Sequence, residues 1–224
     1  TGQTGGSPDA DIDAPEAWNV CTGSSSVLVA VIDTGNDYDH PELAANMWVN
    51  PGEGAVADGL DNDGNGYIDD IYGINAITGS GNPMDDNNHG THCSGTIAGV
   101  GNNSIGVAGV CWTAKIMALK FLSASGSGYD SDAIECIQYA INKGAHILSN
   151  SWGGSGYNLA LKDAIDAAAA ANQLFIAAAG NYLGNNDAVP FYPSSYLSPN
   201  IVAVAATDHN DALSIWTPGS TGSH

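Results

Sequence analysis

Val27-Leu28-Val29-Ala30-Val31-Ile32-Asp33-Thr34-Gly35 is the stretch on which the fold turns. Residues 27–32 are apolar without polar alternation and rich in β-branched side chains. They predict a strand buried on both faces, with Asp33-Thr34-Gly35 turning the chain away from it. Runs of the same character at 115–119, 146–148, 174–179 and 201–205 alternate with helical patterns at 89–99, 131–142 and 158–171. A short helix with proline in its first turn is predicted at Ala14-Pro15-Glu16-Ala17-Trp18. This βαβα rhythm predicts an α/β fold: a three-layer, doubly wound, mostly parallel sheet with helices on both faces. Sites in such sheets form at the carboxyl ends of the strands, which makes Asp33 the first residue to test for chemistry. Residues 50–86 interrupt the rhythm with a glycine- and acid-rich stretch, read as a long loop inserted into one domain spanning 1–224.

Composition removes whole classes of function. The 24 acidic residues face four lysines and no arginine, a net charge of −20 that repels a nucleic-acid backbone and favours divalent cations. No apolar run approaches the roughly 18 residues of a membrane-spanning helix. Thr1-Gly2-Gln3 opens the chain without the basic or apolar region of a targeting segment, so either such a segment has been removed or the chain is a fragment. Cys21, Cys93, Cys111 and Cys136 have no CxxC spacing, which disfavours a zinc ribbon or redox motif; a Cys111–Cys136 disulfide is one open pairing. Trp48, Trp112 and Trp216 read as packing residues.

Three further residues carry candidate chemistry. His89-Gly90-Thr91-His92-Cys93-Ser94-Gly95-Thr96 begins a helix of small residues that can lie close to a sheet. Its histidines are three apart, unlike the four-residue spacing of the zinc-protease helix, so one is expected to act as a base and the other as a hydrogen-bonded core residue. Cys93, one turn after His89, is expected to be a small buried hydrophobe or a thiol near the site. Asn181 ends Ala177-Ala178-Ala179-Gly180-Asn181, and its amide is a candidate donor to a developing oxyanion. An aspartic-protease reading of Asp33-Thr34-Gly35 would need a second such motif or a homodimer with a β-rich chain.

Taken together, these pieces resemble the subtilisin-like serine proteases. The resemblance covers roughly residues 9–213. It rests on Val31-Ile32-Asp33-Thr34-Gly35 with His40-Pro41-Glu42-Leu43, His89-Gly90-Thr91-His92, Asn102-Asn103-Ser104-Ile105-Gly106-Val107, Ser149-Asn150-Ser151-Trp152-Gly153 and Ala178-Ala179-Gly180-Asn181, in that order. It implies that Asp33 orients His89, that His89 is general base and acid, and that Asn181 completes the oxyanion hole. It also implies that Gly126, Ser127 and Gly128 with Ser151, Trp152 and Gly153 flank a peptide or protein substrate added as a strand, and that Ala178 and Gly180 shape the pocket for the residue before the cut. The family's serine motif does not occur; Ser214, Ser220 and Ser223 lie at no strand-to-helix junction. The expectation is therefore a secreted, calcium-dependent endopeptidase domain, incomplete at its carboxyl end, with the nucleophile on a further segment. The alternatives are a non-catalytic calcium-binding homologue that holds peptides in the same cleft, and an acidic adhesive module without a cleft.

Two calcium sites are expected. Asp61-Asn62-Asp63-Gly64-Asn65-Gly66-Tyr67-Ile68-Asp69-Asp70 places oxygen ligands at positions one, three, five and nine and glycine at six, as an EF-hand loop does, with Tyr72 where the twelfth-position glutamate would stand. The candidate ligands are Asp61, Asp63, Asn65, Tyr67, Asp69 and Asp70. The second site comes from the resemblance: Glu42 and the Asn103 side chain, with the carbonyls of Gly101, Ile105 and Val107, and Gln3 near the place of a further ligand.

Overall fold

The computed structural model describes residues 6–181, 185–217 and 220–221, with 215–217 and 220–221 described by their backbone alone. Gln3 and Ser223, and the side chains of Trp216 and Ser220, lie outside the described residues. The elements in chain order are α1 (Ala14–Trp18), β1 (Leu28–Asp33), β2 (Gly73–Asn75), α2 (His89–Ala98), β3 (Lys115–Lys120), α3 (Asp130–Asn142), β4 (Ile147–Asn150), α4 (Leu159–Ala170), β5 (Leu174–Ala178), β6 (Ile201–Val204), β7 (Ile215–Thr217) and β8 (Ser220–Thr221).

Six strands form one sheet in the order β2-β3-β1-β4-β5-β6, and every pairing in it is parallel. All six residues of β1 are buried, as its unbroken apolar run predicts. Strand alternation sorts its side chains into two cores. Leu28, Ala30 and Ile32 join Ile137 of α3 and Leu161 and Ile165 of α4 on one face, while Val29 and Val31 join Ile116, Ala118 and Ala98 of α2 on the other. Helices thus cover both faces, and the α/β sheet is the predicted one. Successive strands lie on one side of β1 and then on the other, so a crevice opens at the carboxyl end of β1, where Asp33 stands.

The helix ends follow from local chemistry. Asn158 caps α4 by accepting from the amides of Ala160 and Leu161 at 3.0 and 3.4 Å. Helix α2 lies so near the end of β1 that a Cβ on Gly90 would stand 2.1 Å from the Gly35 carbonyl oxygen, so only glycine fits. Among the described residues no helix is long and apolar enough to cross a membrane.

Three sequence expectations change. Residues 50–86 are not wholly loop: Gly73–Asn75 forms the edge strand β2, in register with 118–120 of β3. Three residues are too few to carry a period, and the strand exists through its neighbour. Cys111 and Cys136 do not pair. Cys136 is buried among the α3 and α4 core and Cys111 packs on the α2 side, so the sheet separates them, and all four thiols are free. His92 is exposed instead of a core residue.

Candidate active site

Asp33 closes β1 with its carboxylate on the face that α2 covers, and it is 1% exposed. His89 is the first residue of α2, and its Nδ1 stands 2.7 Å from Asp33 Oδ1. The Thr34 amide donates to the same oxygen at 2.7 Å, while Asp33 Oδ2 is buried without a partner. A carboxylate at Nδ1 holds the proton on that nitrogen, so the neutral ring presents a bare Nε2 lone pair. The hydrogen bond to Asp33, and after it the contact with Cys93, raise the His89 pKa above its ordinary 6.5.

The turn before α2 is built around Asp85. Its Oδ1 accepts from the amides of Asn87 (2.9 Å) and Asn88 (3.1 Å) and from Thr34 Oγ1 (2.8 Å). Its Oδ2 accepts from the Thr91 amide (3.0 Å) and hydroxyl (2.6 Å). Thr34 Oγ1 also accepts from the Gly90 amide at 2.9 Å, which ties the end of β1 to the start of α2. Lys120, 4% exposed, completes the brace by donating to Thr34 O (2.6 Å), Asp86 Oδ1 (2.6 Å) and Leu122 O (2.9 Å). All three ammonium protons are thus used, holding the two halves of the Asp33–His89 pair and the chain leading to residues 126–128 in one frame.

His89 opens onto a cleft of about 680 Å³. Gly126, Ser127 and Gly128 line it together with Ser151, Trp152 and Gly153, and so do Ala178, Gly180 and the exposed Asn181. Trp152 packs edge-on against Phe121, ring centroids 4.7 Å apart, which stiffens the wall. Cys93 is half-buried, with its sulfur 3.9 Å from His89 Nδ1 and 3.7 Å from Ser151 Oγ. Ser214 lies between β6 and β7, its amide bonded to the Ala206 carbonyl at 3.0 Å, and among the described residues no hydroxyl is hydrogen-bonded to the His89 ring. Sequence reasoning missed Lys120, Asp85, Phe191 and Tyr192. Only the Asp85-Asp86 doublet before His89 carried a visible signal.

In the acidic loop the structure gathers a different set from the six candidates. One oxygen each from Glu53, Asp61 and Asp63 lie within 4.8 Å of one another. Glu53, 7% exposed, accepts from the amides of Asn62 (2.8 Å) and Asp63 (3.2 Å) through Oε1, and its Oε2 is buried without a partner. Asp63 also meets Lys143 and Asn50, and the pull of those donors outweighs its burial and keeps its carboxyl below the usual range. Asp70 is fully buried against Asn50, Asn65 and Tyr139, whereas Asp69 turns to the amides of Asp58 and Gly59. Tyr67 donates its hydroxyl to Glu135. Glu53 lies eight residues before Asp61, outside any loop-ligand spacing, so no sequence signal marks it. Three converging carboxylates with an orphaned buried oxygen fit a hard divalent cation.

The second loop has a similar orphan. Glu42 is 5% exposed with Oε1 buried and unpartnered, and its Oε2 lies 3.4 Å from Asn103 Nδ2. Asn103 Oδ1 accepts from the Ile105 amide at 3.1 Å, and the side chains of Ile105 and Val107 are exposed. Gly101 lies against the Trp112 ring.

Residues 24–223 match the family model described as the Subtilase family. Among curated proteins, Subtilisin-like protease 1 of Plasmodium berghei is 39% identical over 191 residues, covering 85% of this chain and 32% of the relative. Thermitase of Thermoactinomyces vulgaris is 38% identical over 200 residues, covering 89% of this chain and 61% of the relative. Halolysin of Haloferax mediterranei is 35% identical over 206 residues, covering 92% of this chain and 35% of the relative. The chain spans about a third of the length of the Plasmodium relative. With matched motifs, a parallel α/β sheet and nearly all of its length aligned, the chain belongs to the subtilase family.

Proposed function

We propose that this chain forms the greater part of the cleft of a secreted, calcium-stabilised serine endopeptidase, and that the nucleophilic serine comes from a segment outside these 224 residues. The observation that carries the reading is the 2.7 Å Asp33–His89 contact beside a cleft lined by glycine-rich segments. In the proposed reaction a peptide lies as an added strand between residues 126–128 and 151–153. His89 Nε2 takes the proton of the serine hydroxyl as it attacks the carbonyl, Asp33 stabilises the imidazolium, and Asn181 donates to the oxyanion. His89 then returns the proton to the leaving amine, and water releases the acyl group by the same route in reverse.

Calcium, when bound, neutralises the like charges of the acidic loop and orders it. Asp61 and Asp63 with Glu53 would hold it in the insertion 50–86, and Glu42 with Asn103 in the second loop. The orphaned oxygens of Glu53 and Glu42 support both assignments.

A second reading is favoured by one observation: among the described residues no hydroxyl reaches the His89 ring. On that reading the cleft binds peptides without cutting them. Labelling with a fluorophosphonate, on this chain alone and on the longer polypeptide that contains it, separates the two. The proposal expects no label on the chain alone and one labelled serine elsewhere in the longer polypeptide. A labelled serine within residues 1–224 overturns it, and a longer polypeptide that takes no label establishes the binding-only reading.

A further inference from the structure

The cleft holds an aromatic ring that no motif announces. Phe191 opens a turn fixed by its own backbone: its amide donates to Ser195 Oγ (3.0 Å), and its carbonyl accepts from the Ser195 amide (2.9 Å) and Ser194 Oγ (2.8 Å). The next residue, Tyr192, pairs with Gly154 in both directions, at 2.7 and 2.8 Å. Bonds on both sides therefore set where the Phe191 ring goes. A Cβ built on Gly153 would lie 2.4 Å from its Cε1 and 2.8 Å from its Cζ, and a Cβ built on Gly180 would lie 3.3 Å from its Cδ1 and Cε1. The half-buried ring thus stands between Gly153, in a segment that flanks the substrate strand in the proposed reading, and Gly180, to which the family resemblance gives a part in the pocket for the residue before the cut.

We infer that Phe191 is a specificity-determining residue: it fills that pocket, so the cleft takes peptides with a small side chain, glycine, alanine or serine, on the amino-terminal side of the cut and rejects aromatic ones. A methyl group can rest on the ring. A phenyl group would have to displace a side chain whose backbone is pinned on both sides, and close-packed sites resist such overfilling. The inference rests on the peptide-cleft reading above.

The test needs no hydrolysis. Two acetylated tetrapeptides with free carboxyl ends, one of four alanines and one with phenylalanine in the last place, are titrated into the chain and followed by amide NMR shifts at residues 126–128 and 151–153. The alanine peptide is expected to bind at least about tenfold more tightly. Phe191→Ala should abolish or reverse that ratio, and Phe191→Leu should reduce it. The wild-type ratio decides even if a variant folds poorly. Equal binding of the two peptides, tighter binding of the phenylalanine peptide, or a ratio unchanged in Phe191→Ala overturns the role of Phe191 while leaving the cleft reading intact. Absence of shifts at both walls with either peptide overturns the cleft reading itself, and the inference with it.

Discussion

Asp33 and Asp85 on one side, and Glu53, Asp61 and Asp63 on the other, are acids handled in opposite ways. Each acid of the first group stands among donors from its own chain: Asp85 accepts five hydrogen bonds, and Asp33 accepts from His89 and Thr34. The second group sets three carboxylates beside one another, with Lys143 against Asp63 and a buried glutamate oxygen left bare. The first arrangement, Asp33 Oδ2 apart, meets its donors as the chain folds and fixes the direction of an imidazole. The second brings like charges together, offset within the chain by Lys143 at Asp63. One part of the acidic surplus therefore orients an imidazole, and another gathers carboxylates in a cluster that fits a divalent cation.

Substitutions can break this comparison from either end. The largest effect is expected at Gly90→Ala, where the new methyl would stand 2.1 Å from the Gly35 carbonyl. Helix α2 must move off β1, at a cost of about 3 kcal/mol or more. Urea unfolding should show the loss, and calcium titration should show the acidic loop binding as before. Lys120→Met comes next, at about 2–3 kcal/mol, because the carbonyls of Thr34 and Leu122 lose their donor inside the protein. An unfolding midpoint equal to wild type would show the brace to be unnecessary.

Removing calcium should cost about 2–3 kcal/mol, a fall of several degrees in melting temperature, without moving the His89 resonances. A chelator that leaves the melt unchanged counts against both calcium loops. The smallest effect is Glu53→Gln. In chelator it should stabilise the chain by under about 1 kcal/mol, by relieving repulsion, while weakening calcium binding. A variant that melts lower than wild type in chelator would contradict the repulsive reading of the cluster.

The fold was legible because β1 and the runs at 115–119 and 174–179 carry their burial in local composition, independent of partners. Strand β2 was not, since three residues declare nothing without β3 beside them. The Asp33–His89 pair could be suspected from order and motif. The residues around it could not: Lys120 reaches the site only through its register opposite Asp33, and Phe191 only through the pairing of Tyr192 with Gly154. Glu53 shows the same limit. The loop pattern named Asp61 and Asp63, but the third carboxylate enters from a turn upstream. Cys111 and Cys136 looked pairable only while the sheet between them was out of view.

The pH dependence of the pair has a definite sign. Because the folded pKa of His89 is raised, the stability it contributes is fully present below about 6.5 and is lost as pH rises through the folded value. The most direct measurement is an NMR titration of the His89 ring in the chain and in Asp33→Asn. The wild-type ring should titrate above 6.5, and at a lower pH once the Asp33 charge is removed. A ring that titrates at the same pH with and without that charge would contradict the Asp33–His89 pairing.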